Sequence, residues 1–282
     1  MAASPPRLPT ITTLLDEAPG EAMPLSPALR DTYGGDLRFP ERRPYVFANF
    51  VSTIDGLVSF GEPGRASARF VSGGSPGDRF VMGLLRACAE VVLSGAGTLR
   101  VERKVTWTPW QIYPGAEALY RELRRALGRP DRVRVVVVSA SGDLDLSLPV
   151  FTSDEVEPVV VTGLRGAERL ASVGTGRVRV RAVGSGDAPL MREVIDAVAG
   201  DAGGLILSEA GPNLFGQMLR ERVVDELFLS VAPRIAGRSA DRPGVALVDG
   251  TTFGPDDAPS ARLVSARRTD DGLQLFRYAF DR

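Results

Sequence analysis

Short apolar runs of strand length recur along this chain, and most of them are followed by a segment whose apolar residues repeat at helical spacing. The predicted strands of this kind lie at residues 44–51, 90–94, 132–139, 159–163, 177–183 and 205–208. The predicted helices lie at residues 78–89, 116–127, 166–171, 190–199 and 212–219. Strands that alternate with helices indicate a largely parallel sheet with helices on both faces. The expected fold class is therefore α/β.

The two ends of the chain depart from this alternation. Residues 223–231, 261–268 and 273–280 are all strand-like, and Asp270-Asp271-Gly272 predicts a hairpin turn between the last two. We therefore expect the sheet to end in antiparallel strands. Residues 1–43 are rich in proline and weakly patterned, with a short helix expected near residues 11–15 and another that Ser26 could cap. We interpret them as an N-terminal extension, followed by one domain over 44–282.

Glycines mark two of the predicted strand-to-helix turns. The first turn is Gly-Ala-Gly-Thr at 95–98, and the second is Glu-Ala-Gly-Pro at 209–212, where the proline suits the first turn of a helix. A helix that begins at such a turn has backbone N–H groups free to receive an anion. Two turns of this kind suggest a phosphate-rich ligand held between them.

Small and polar residues follow several of the predicted strands at the point where each strand ends. They are Asp55, residues 94–98, Ser139, Thr162-Gly163 and residues 209–213. In a parallel sheet, ligands bind beyond the carboxyl ends of the strands. The convergence of these residues indicates a nucleotide site, and it leaves the reaction open.

Composition narrows the chemistry that such a site can carry out. The chain has no histidine, which excludes Ser-His-Asp catalysis and histidine zinc sites, and it has one cysteine, which excludes an intramolecular disulfide. Proton transfer must therefore come from carboxylates, tyrosine, cysteine or water. The net charge of −1 argues against a broad surface for nucleic acid or anionic membranes. No apolar run is long enough to span a bilayer, so we expect a cytoplasmic protein, and we expect no metal.

Several blocks of sequence carry a resemblance that extends from about residue 44 to the end of the chain. They are Ser-Thr-Ile-Asp-Gly at 52–56, the helix with Arg79 and Arg86, Val-Leu-Ser-Gly-Ala-Gly-Thr at 92–98, Leu-Ser-Glu-Ala-Gly-Pro at 207–212, and Val-Asp-Glu-Leu at 224–227 followed by Ala-Pro-Arg-Ile-Ala-Gly at 232–237. In order and spacing these blocks resemble the C-terminal reductase domain of bacterial riboflavin biosynthesis. The resemblance implies a dihydrofolate-reductase-like three-layer sandwich, NADPH as cofactor and a homodimer. It also implies reduction of the ribosyl group of a phosphoribosylamino-pyrimidine to a ribityl group.

The same resemblance assigns roles to individual residues. Backbone N–H groups of the two glycine turns would hold the NADPH phosphates, and Ser139 would lie near the adenosine 2′-phosphate. The cofactor-binding residues implied are Val51, Gly95, Ala96, Gly97, Thr98, Glu102, Ser139, Val161, Thr162, Ala210, Gly211, Pro212, Asn213, Leu214 and Phe215. The substrate-binding residues implied are Asn49, Ser67, Arg79 and Arg86. Asp55 and Glu209 would be catalytic, with Asp55 at the nicotinamide end either orienting the substrate or supplying a proton. Because hydride transfer needs positioning more than acid–base groups, a site without histidine is adequate.

The chain departs from the family pattern in the segment 99–107. Glu102 stands where riboflavin-producing members have the first Asp of an Asp-Asp-Pro segment, and no arginine falls at the position that binds the substrate phosphate. Met82 replaces a common histidine, and Ala210 replaces a glycine. These departures leave the cofactor-binding part of the family pattern intact. They make the identity of the acceptor substrate an open question.

Three functions therefore remain. The first is an NADPH-dependent reductase of the ribosylamino-pyrimidine. The second is a reductase with the same cofactor that acts on dihydrofolate or another pterin, whose amino-pyrimidine edge could pair with Asp55. The third is a nucleotide-binding protein that has lost turnover. Purely structural roles also stay open: Asp55 as a turn former, Glu209 as the cap of the following helix, and Arg86 as a solvated arginine.

Overall fold

The computed structural model describes residues 8–186, 188–202 and 204–281. Its strands are β1 (Ile11–Asp16), β2 (Glu21–Ala22), β3 (Arg38–Phe39), β4 (Tyr45–Thr53), β5 (Leu57–Ser59), β6 (Val91–Gly95), β7 (Val133–Val138), β8 (Val156–Thr162), β9 (Arg179–Ala182), β10 (Leu205–Ser208), β11 (Glu226–Ala232), β12 (Val245–Ala246), β13 (Ala261–Thr269) and β14 (Gln274–Phe280). Its helices are α1 (Pro27–Tyr33), α2 (Arg69–Ser72), α3 (Pro76–Cys88), α4 (Ala96–Val101), α5 (Pro109–Ile112), α6 (Glu117–Ala126), α7 (Pro149–Thr152), α8 (Leu164–Val173), α9 (Met191–Ala202) and α10 (Pro212–Arg220), with a 3₁₀ turn at Pro114–Ala116. The alternation predicted for the middle of the chain is confirmed.

One ten-stranded sheet organises the molecule, in the order β1-β13-β14-β11-β4-β10-β6-β7-β8-β9. The strands from β11 to β9 are all parallel to their neighbours. The strands β14, β13 and β1 extend the sheet in antiparallel pairing. The predicted α/β class, mostly parallel with antiparallel C-terminal strands, is confirmed.

The direction of β11 differs from the sequence-based expectation. We expected residues 223–231 to belong to the antiparallel group, and this is wrong because β11 pairs with β4 in parallel, with Glu226 opposite Phe47 and Ala232 opposite Thr53. The cause is the connection: β10 leads through α10 into β11, and a strand–helix–strand crossover within one sheet joins parallel strands. The antiparallel part of the sheet therefore begins one strand later, at β14.

The N-terminal residues also contribute to the main sheet. The helix predicted near residues 11–15 is wrong, because residues 11–16 form β1 and pair with β13, Ile11 lying opposite Thr269. The β-branched run Ile-Thr-Thr at 11–13 favours a strand over a helix once a partner edge is available. The helix expected after Ser26 is confirmed as α1, but the Ser26 side chain makes no capping hydrogen bond within the described residues. The domain boundary at residue 43 stays a prediction.

Two apolar layers cover the two faces of the sheet, because successive residues of a buried strand point to opposite sides. Leu205 and Leu207 of β10 belong to the layer under α3 and α6, whereas Ile206 belongs to the layer under α9 and α10. All three side chains are fully buried. Nothing in the described part of the chain is a helix long and apolar enough to cross a membrane.

Candidate active site

The carboxyl ends of the parallel strands meet at one edge of the sheet. Residues Thr53, Gly95 and Ser208 end the neighbouring strands β4, β6 and β10, which are in parallel register. Ser139 directly follows β7 and Thr162 ends β8 at the same edge. The topology therefore brings together the strand ends from which the sequence predicts a nucleotide site.

The two glycine turns lie side by side at this edge. A Cβ added at Gly211 would lie 3.1 Å from Oγ1 of Thr98, and one added at Gly95 would lie 3.4 Å from Cδ2 of Leu214. Oγ1 of Thr98 is buried, and within the described residues it has no hydrogen-bond partner. The two turns are therefore neighbours, and the buried Thr98 hydroxyl lies beside Gly211.

Both turns lead into helices whose first N–H groups are not capped by side chains. Gly95 precedes α4 and Gly211 precedes α10, and neither helix has a side-chain hydrogen bond at its start within the described chain. Pro212 is the first residue of α10 and carries no N–H, which leaves the amides of Asn213 and Leu214 as the outward donors. A Cβ added at Gly97 would meet no atom within 4 Å, so the backbone there is open to a ligand.

The remaining cofactor residues assigned around these turns are of two kinds. Glu102 ends α4, where its amide donates to the Thr98 carbonyl at 2.8 Å, and its side chain is half-buried. Ala210 and Phe215 are buried, and the Phe215 ring packs on Phe50 with 4.8 Å between centroids. Ala210 and Phe215 have no polar side-chain atom and shape the turns, whereas Glu102 places a carboxylate beside them.

The ends of β7 and β8 form a second loop surface at the same edge. Oγ of Ser139 accepts a hydrogen bond from the Gly142 amide at 3.1 Å, and Oγ1 of Thr162 donates to the Ala140 carbonyl at 3.4 Å. Both side chains are buried, and so is that of Val161. The two hydroxyls hold the loop in shape, so the contribution of Val161 to any ligand would come from its backbone.

Arg86 and Glu209 are paired with each other. Nε and Nη2 of Arg86 donate to the two oxygens of the Glu209 carboxylate at 3.0 and 2.6 Å, and Nη1 donates to the Thr108 carbonyl at 3.3 Å. The two side chains are only 3% and 7% exposed. Arg86 is therefore not a solvated arginine, and Glu209 points to Arg86 rather than capping α10.

Asp55 holds the loop that follows β11. Its exposed carboxylate accepts hydrogen bonds from Oγ1 of Thr53 at 2.6 Å and from the amides of Ala236 and Gly237 at 3.1 and 2.7 Å. These bonds, that from Thr53 foremost, hold the pKa of Asp55 well below its ordinary value of 3.8. A carboxylate that stays ionised at neutral pH is not a proton donor, whereas a role in orienting a substrate remains a prediction.

The substrate-binding residues assigned from sequence are spread over the same side of the sheet. Asn49 is half-buried within β4, two residues from Val51 and on the same face. Arg79 lies in the first turns of α3 with its guanidinium 5.8 Å from the Tyr113 ring centroid, and its Nε is buried with no partner in the described residues. Ser67 lies half-buried just before α2. Of these three, Arg79 is the one with a buried polar side-chain atom that lacks a partner in the described residues.

The family is decided by residues 44–275, which match the RibD C-terminal domain. The chain belongs to this family. The match covers most of the sequence and confirms the resemblance stated from the sequence blocks. No curated protein matches the chain.

Solved structures with the RibD fold are similar to most of this chain. A pyrimidine reductase-like protein from Corynebacterium diphtheriae superposes with a TM-score of 0.60 at 24% identity, covering 85% of this chain and 92% of that one. RibD from Acinetobacter baumannii gives a TM-score of 0.61 at 19% identity, and this chain covers 59% of its length. The riboflavin biosynthesis reductase Rib7 of Saccharomyces cerevisiae gives 0.57 at 13% identity, covering 85% of this chain and 90% of that one. At these identities the likeness shows a shared fold.

The structure of this RibD-type domain adds two residues that sequence reasoning missed. Asp78, in the first turn of α3, is only 4% exposed, and burial raises the pKa of its carboxyl from 3.8 to about 6. Arg234 donates to the Phe70 carbonyl at 3.0 Å and so ties the loop after β11 to α2. An aspartate early in a helix is an ordinary sequence feature, and its burial becomes visible only when α2, α3 and β11 are assembled.

Proposed function

We propose that this protein is a reductase of the riboflavin pathway, with NADPH as hydride donor and a phosphoribosylamino-pyrimidine as acceptor. Family membership supports the reductase assignment, since proteins of this fold include one from Thermotoga maritima named as a 5-amino-6-(5-phosphoribosylamino)uracil reductase. The observation that most strongly supports binding of this cofactor is the close approach of the two glycine turns. A Cβ added at Gly211 would lie only 3.1 Å from Oγ1 of Thr98.

The paired turns fit a dinucleotide phosphate group. They combine uncapped helix starts at Gly95 and Gly211 with a buried hydroxyl on Thr98 that has no partner in the described residues. Backbone N–H groups at helix starts suit phosphate, and the missing side chain at Gly97 allows close approach to the backbone. When bound, reduced nicotinamide would supply the hydride that the acceptor receives.

The residues around the turns would then position the two ligands. Ser139 and Thr162 would shape the surface near the adenosine 2′-phosphate. Arg79, with its unsatisfied Nε, would contact the substrate. The Arg86–Glu209 pair would hold the end of β10 in a fixed position between cofactor and substrate, because its buried hydrogen bonds restrict both side chains.

A second candidate acceptor is dihydrofolate or another pterin, and one observation favours it. Arg103, in the segment where the family binds the substrate phosphate, is paired with Asp145 by a 2.6 Å ion pair. An arginine already paired is a weaker phosphate ligand, and a pterin ring requires no such contact. A nucleotide-binding role without turnover is the third possibility, and oxidation of NADPH by any acceptor would eliminate it.

The family resemblance also supports a cytoplasmic homodimer with no nucleic-acid or membrane partner. Light scattering of the purified protein tests the dimer directly: a molar mass twice the 30.1 kDa of the chain is expected, and the monomer mass would refute it.

Turnover with two acceptors in parallel tests the proposed function. The protein is mixed with NADPH and offered either the ribosylamino-pyrimidine or dihydrofolate, and the absorbance of reduced nicotinamide is followed. Oxidation with the ribosylamino-pyrimidine supports the first proposal, and oxidation with dihydrofolate alone supports the second. Oxidation with neither, despite NADPH binding, would contradict both acceptors.

A further inference from the structure

One glutamine side chain holds the turn that connects α4 with α5. Nε2 of Gln111 donates a hydrogen bond to the Lys104 carbonyl at 2.8 Å. Oε1 of Gln111 accepts from the Thr106 amide at 2.6 Å and from the Thr106 hydroxyl at 2.9 Å. Both polar atoms of the side chain are therefore used, and they tie α5 to residues 104–108, which we call the Gln111 turn.

The hydroxyl groups of the Gln111 turn form a chain of bonds with a defined direction. The Thr106 hydroxyl gives its proton to Gln111, which leaves its oxygen as an acceptor for the Thr108 hydroxyl, 3.1 Å away. Thr108 must therefore be the donor in that bond. Thr108 is fully buried, so its place depends on a chain of bonds that ends at Gln111.

The backbone of the Gln111 turn is strained at Trp107. Its φ of 58° lies in the left-handed region, which a bulky residue other than glycine rarely adopts. The Trp107 side chain is buried, and the side chains of Thr106 and Thr108 are bonded to each other on either side of it. Strain of this kind persists where the surrounding structure holds it, and it occurs most often at functional sites. The strained residue therefore suggests that the turn does more than connect two helices.

The Gln111 turn reaches the proposed site through the backbone carbonyl of Thr108. This carbonyl accepts a hydrogen bond from Nη1 of Arg86 at 3.3 Å. Nε and Nη2 of Arg86 bind the Glu209 carboxylate at 3.0 and 2.6 Å. Because all three nitrogens of the planar guanidinium are bonded, the plane of the group is fixed. The contact with Thr108 thus anchors the Arg86–Glu209 pair to a third segment of the chain.

We propose that Gln111 is a positioning residue of the reductase, because it sets the turn whose Thr108 carbonyl fixes Arg86 and, through Arg86, Glu209. The inference rests on the proposed function, in which the Arg86–Glu209 pair lies between cofactor and acceptor. Gln111 itself would touch neither ligand. Its effect would come from the placement of Arg86, since a displacement of about 1 Å in a site can lower the rate about 100-fold.

Steady-state kinetics of wild type, Gln111→Met and Gln111→Glu tests this role. Methionine removes both hydrogen-bonding atoms at nearly the same length, whereas glutamate keeps an acceptor oxygen for Thr106. Because Gln111 is exposed, we expect both variants to fold. Gln111→Met should lower kcat about 10-fold and keep NADPH affinity within about twofold of wild type, and Gln111→Glu should retain most of the wild-type kcat. The control is Gln274→Met, an exposed position in β14 that β11 and β4 separate from β10, and it should match wild type.

A double-variant cycle shows whether Gln111 acts through Arg86. Arg86→Lys keeps a positive charge beside Glu209, but its single nitrogen cannot reproduce the three-nitrogen contact with Glu209 and Thr108. Gln111→Met should therefore lower kcat in the wild-type background and cause no further loss in the Arg86→Lys background. Losses that multiply in the double variant would overturn the proposal, because a merely structural role of Gln111 is independent of Arg86.

NMR of the Arg86 Nε–H proton measures the positioning without turnover. This proton is bonded to a buried carboxylate and should exchange slowly in wild type and in Gln274→Met, and faster in Gln111→Met. Equal exchange in wild type and Gln111→Met would overturn the proposal. If wild type binds NADPH but reduces neither acceptor, the proposed function fails and the inference falls with it. A functional enzyme whose kcat is unchanged in Gln111→Met refutes the inference alone.

Discussion

Arg86 and Glu209, 123 positions apart in the chain, form a bidentate ion pair that joins the last turn of α3 to the end of β10. Their side chains are 3% and 7% exposed, so neither charge is solvated. The resemblance assigned Arg86 to substrate binding and Glu209 to catalysis, and the structure joins the two side chains in one neutral pair at the glycine turn 209–212. We expect the two residues to share a positioning role in the proposed site.

Removal of one partner of this pair should destabilise the protein strongly. Arg86→Leu leaves the Glu209 carboxylate buried without its counter-ion, and the expected loss in the free energy of unfolding is about 3–5 kcal/mol. The double variant Arg86→Leu with Glu209→Leu removes both charges and should recover most of that loss. Urea titration of wild type, Arg86→Leu, Glu209→Leu and the double variant measures this. A loss below about 1 kcal/mol in the single variants, typical of exposed pairs, would contradict the pairing.

Asp78 should cost stability at neutral pH, because its pKa is higher in the folded protein than in the unfolded chain. Its favourable contribution is complete below the ordinary pKa of 3.8 and is lost as the pH rises through about 6. Asp78→Asn, neutral at all pH values, should therefore be more stable than wild type at about pH 8, by up to about 3 kcal/mol, and equal to it near pH 4. Thermal unfolding at both pH values measures the difference, with the exposed Asp256→Asn as control. A variant less stable than wild type at pH 8 would refute the pKa argument.

Asp55 should keep the loop after β11 in place. Asp55→Asn cannot accept both amide hydrogen bonds, so the amides of Ala236 and Gly237 should exchange with deuterium faster than in wild type. The depressed pKa of Asp55 means that this restraint is present above pH 3.8 and weakens as the pH falls below it. The variant should also leave NADPH affinity largely intact and lower turnover, because the role proposed for Asp55 is to orient the substrate. Equal exchange in both proteins would show that the restraint lies elsewhere, and equal loss of affinity and turnover would count against the assigned role.

The alternation of apolar runs predicted most of the fold, because strands buried on both faces and helices buried on one have different periods. The pattern could not show the direction of β11, because that direction depends on the crossover through α10. It also could not show that residues 11–16 form an edge strand, because their partner strand β13 lies more than 240 residues away in the chain. These errors concern pairing between distant segments, and local sequence carries little information about such pairing.

The same distinction between local and long-range features applies to the candidate site. The glycine turns at 95–98 and 209–212 carry a local signal, and the structure brings them into contact. The pairing of Arg86 with Glu209 and the burial of Asp78 have no local signal, because each depends on elements that meet only in the folded chain. The sequence therefore predicts which side chains belong to the candidate site more readily than it predicts the partners of each side chain.

The most direct test of the account is titration calorimetry with NADPH on wild type, Gly97→Val and Gly200→Val. A Cβ at Gly97 or at Gly200 would meet no atom within 4 Å, and both residues lie in helices, so an added side chain begins in open space at either position. Only Gly97 lies on the proposed phosphate surface, where a β-branched side chain would block the approach of a ligand to the backbone. We predict tight NADPH binding by wild type and by Gly200→Val, and no measurable binding by Gly97→Val. NADPH affinity unchanged in Gly97→Val would contradict the placement of the cofactor, and no binding by wild type would contradict the proposed function.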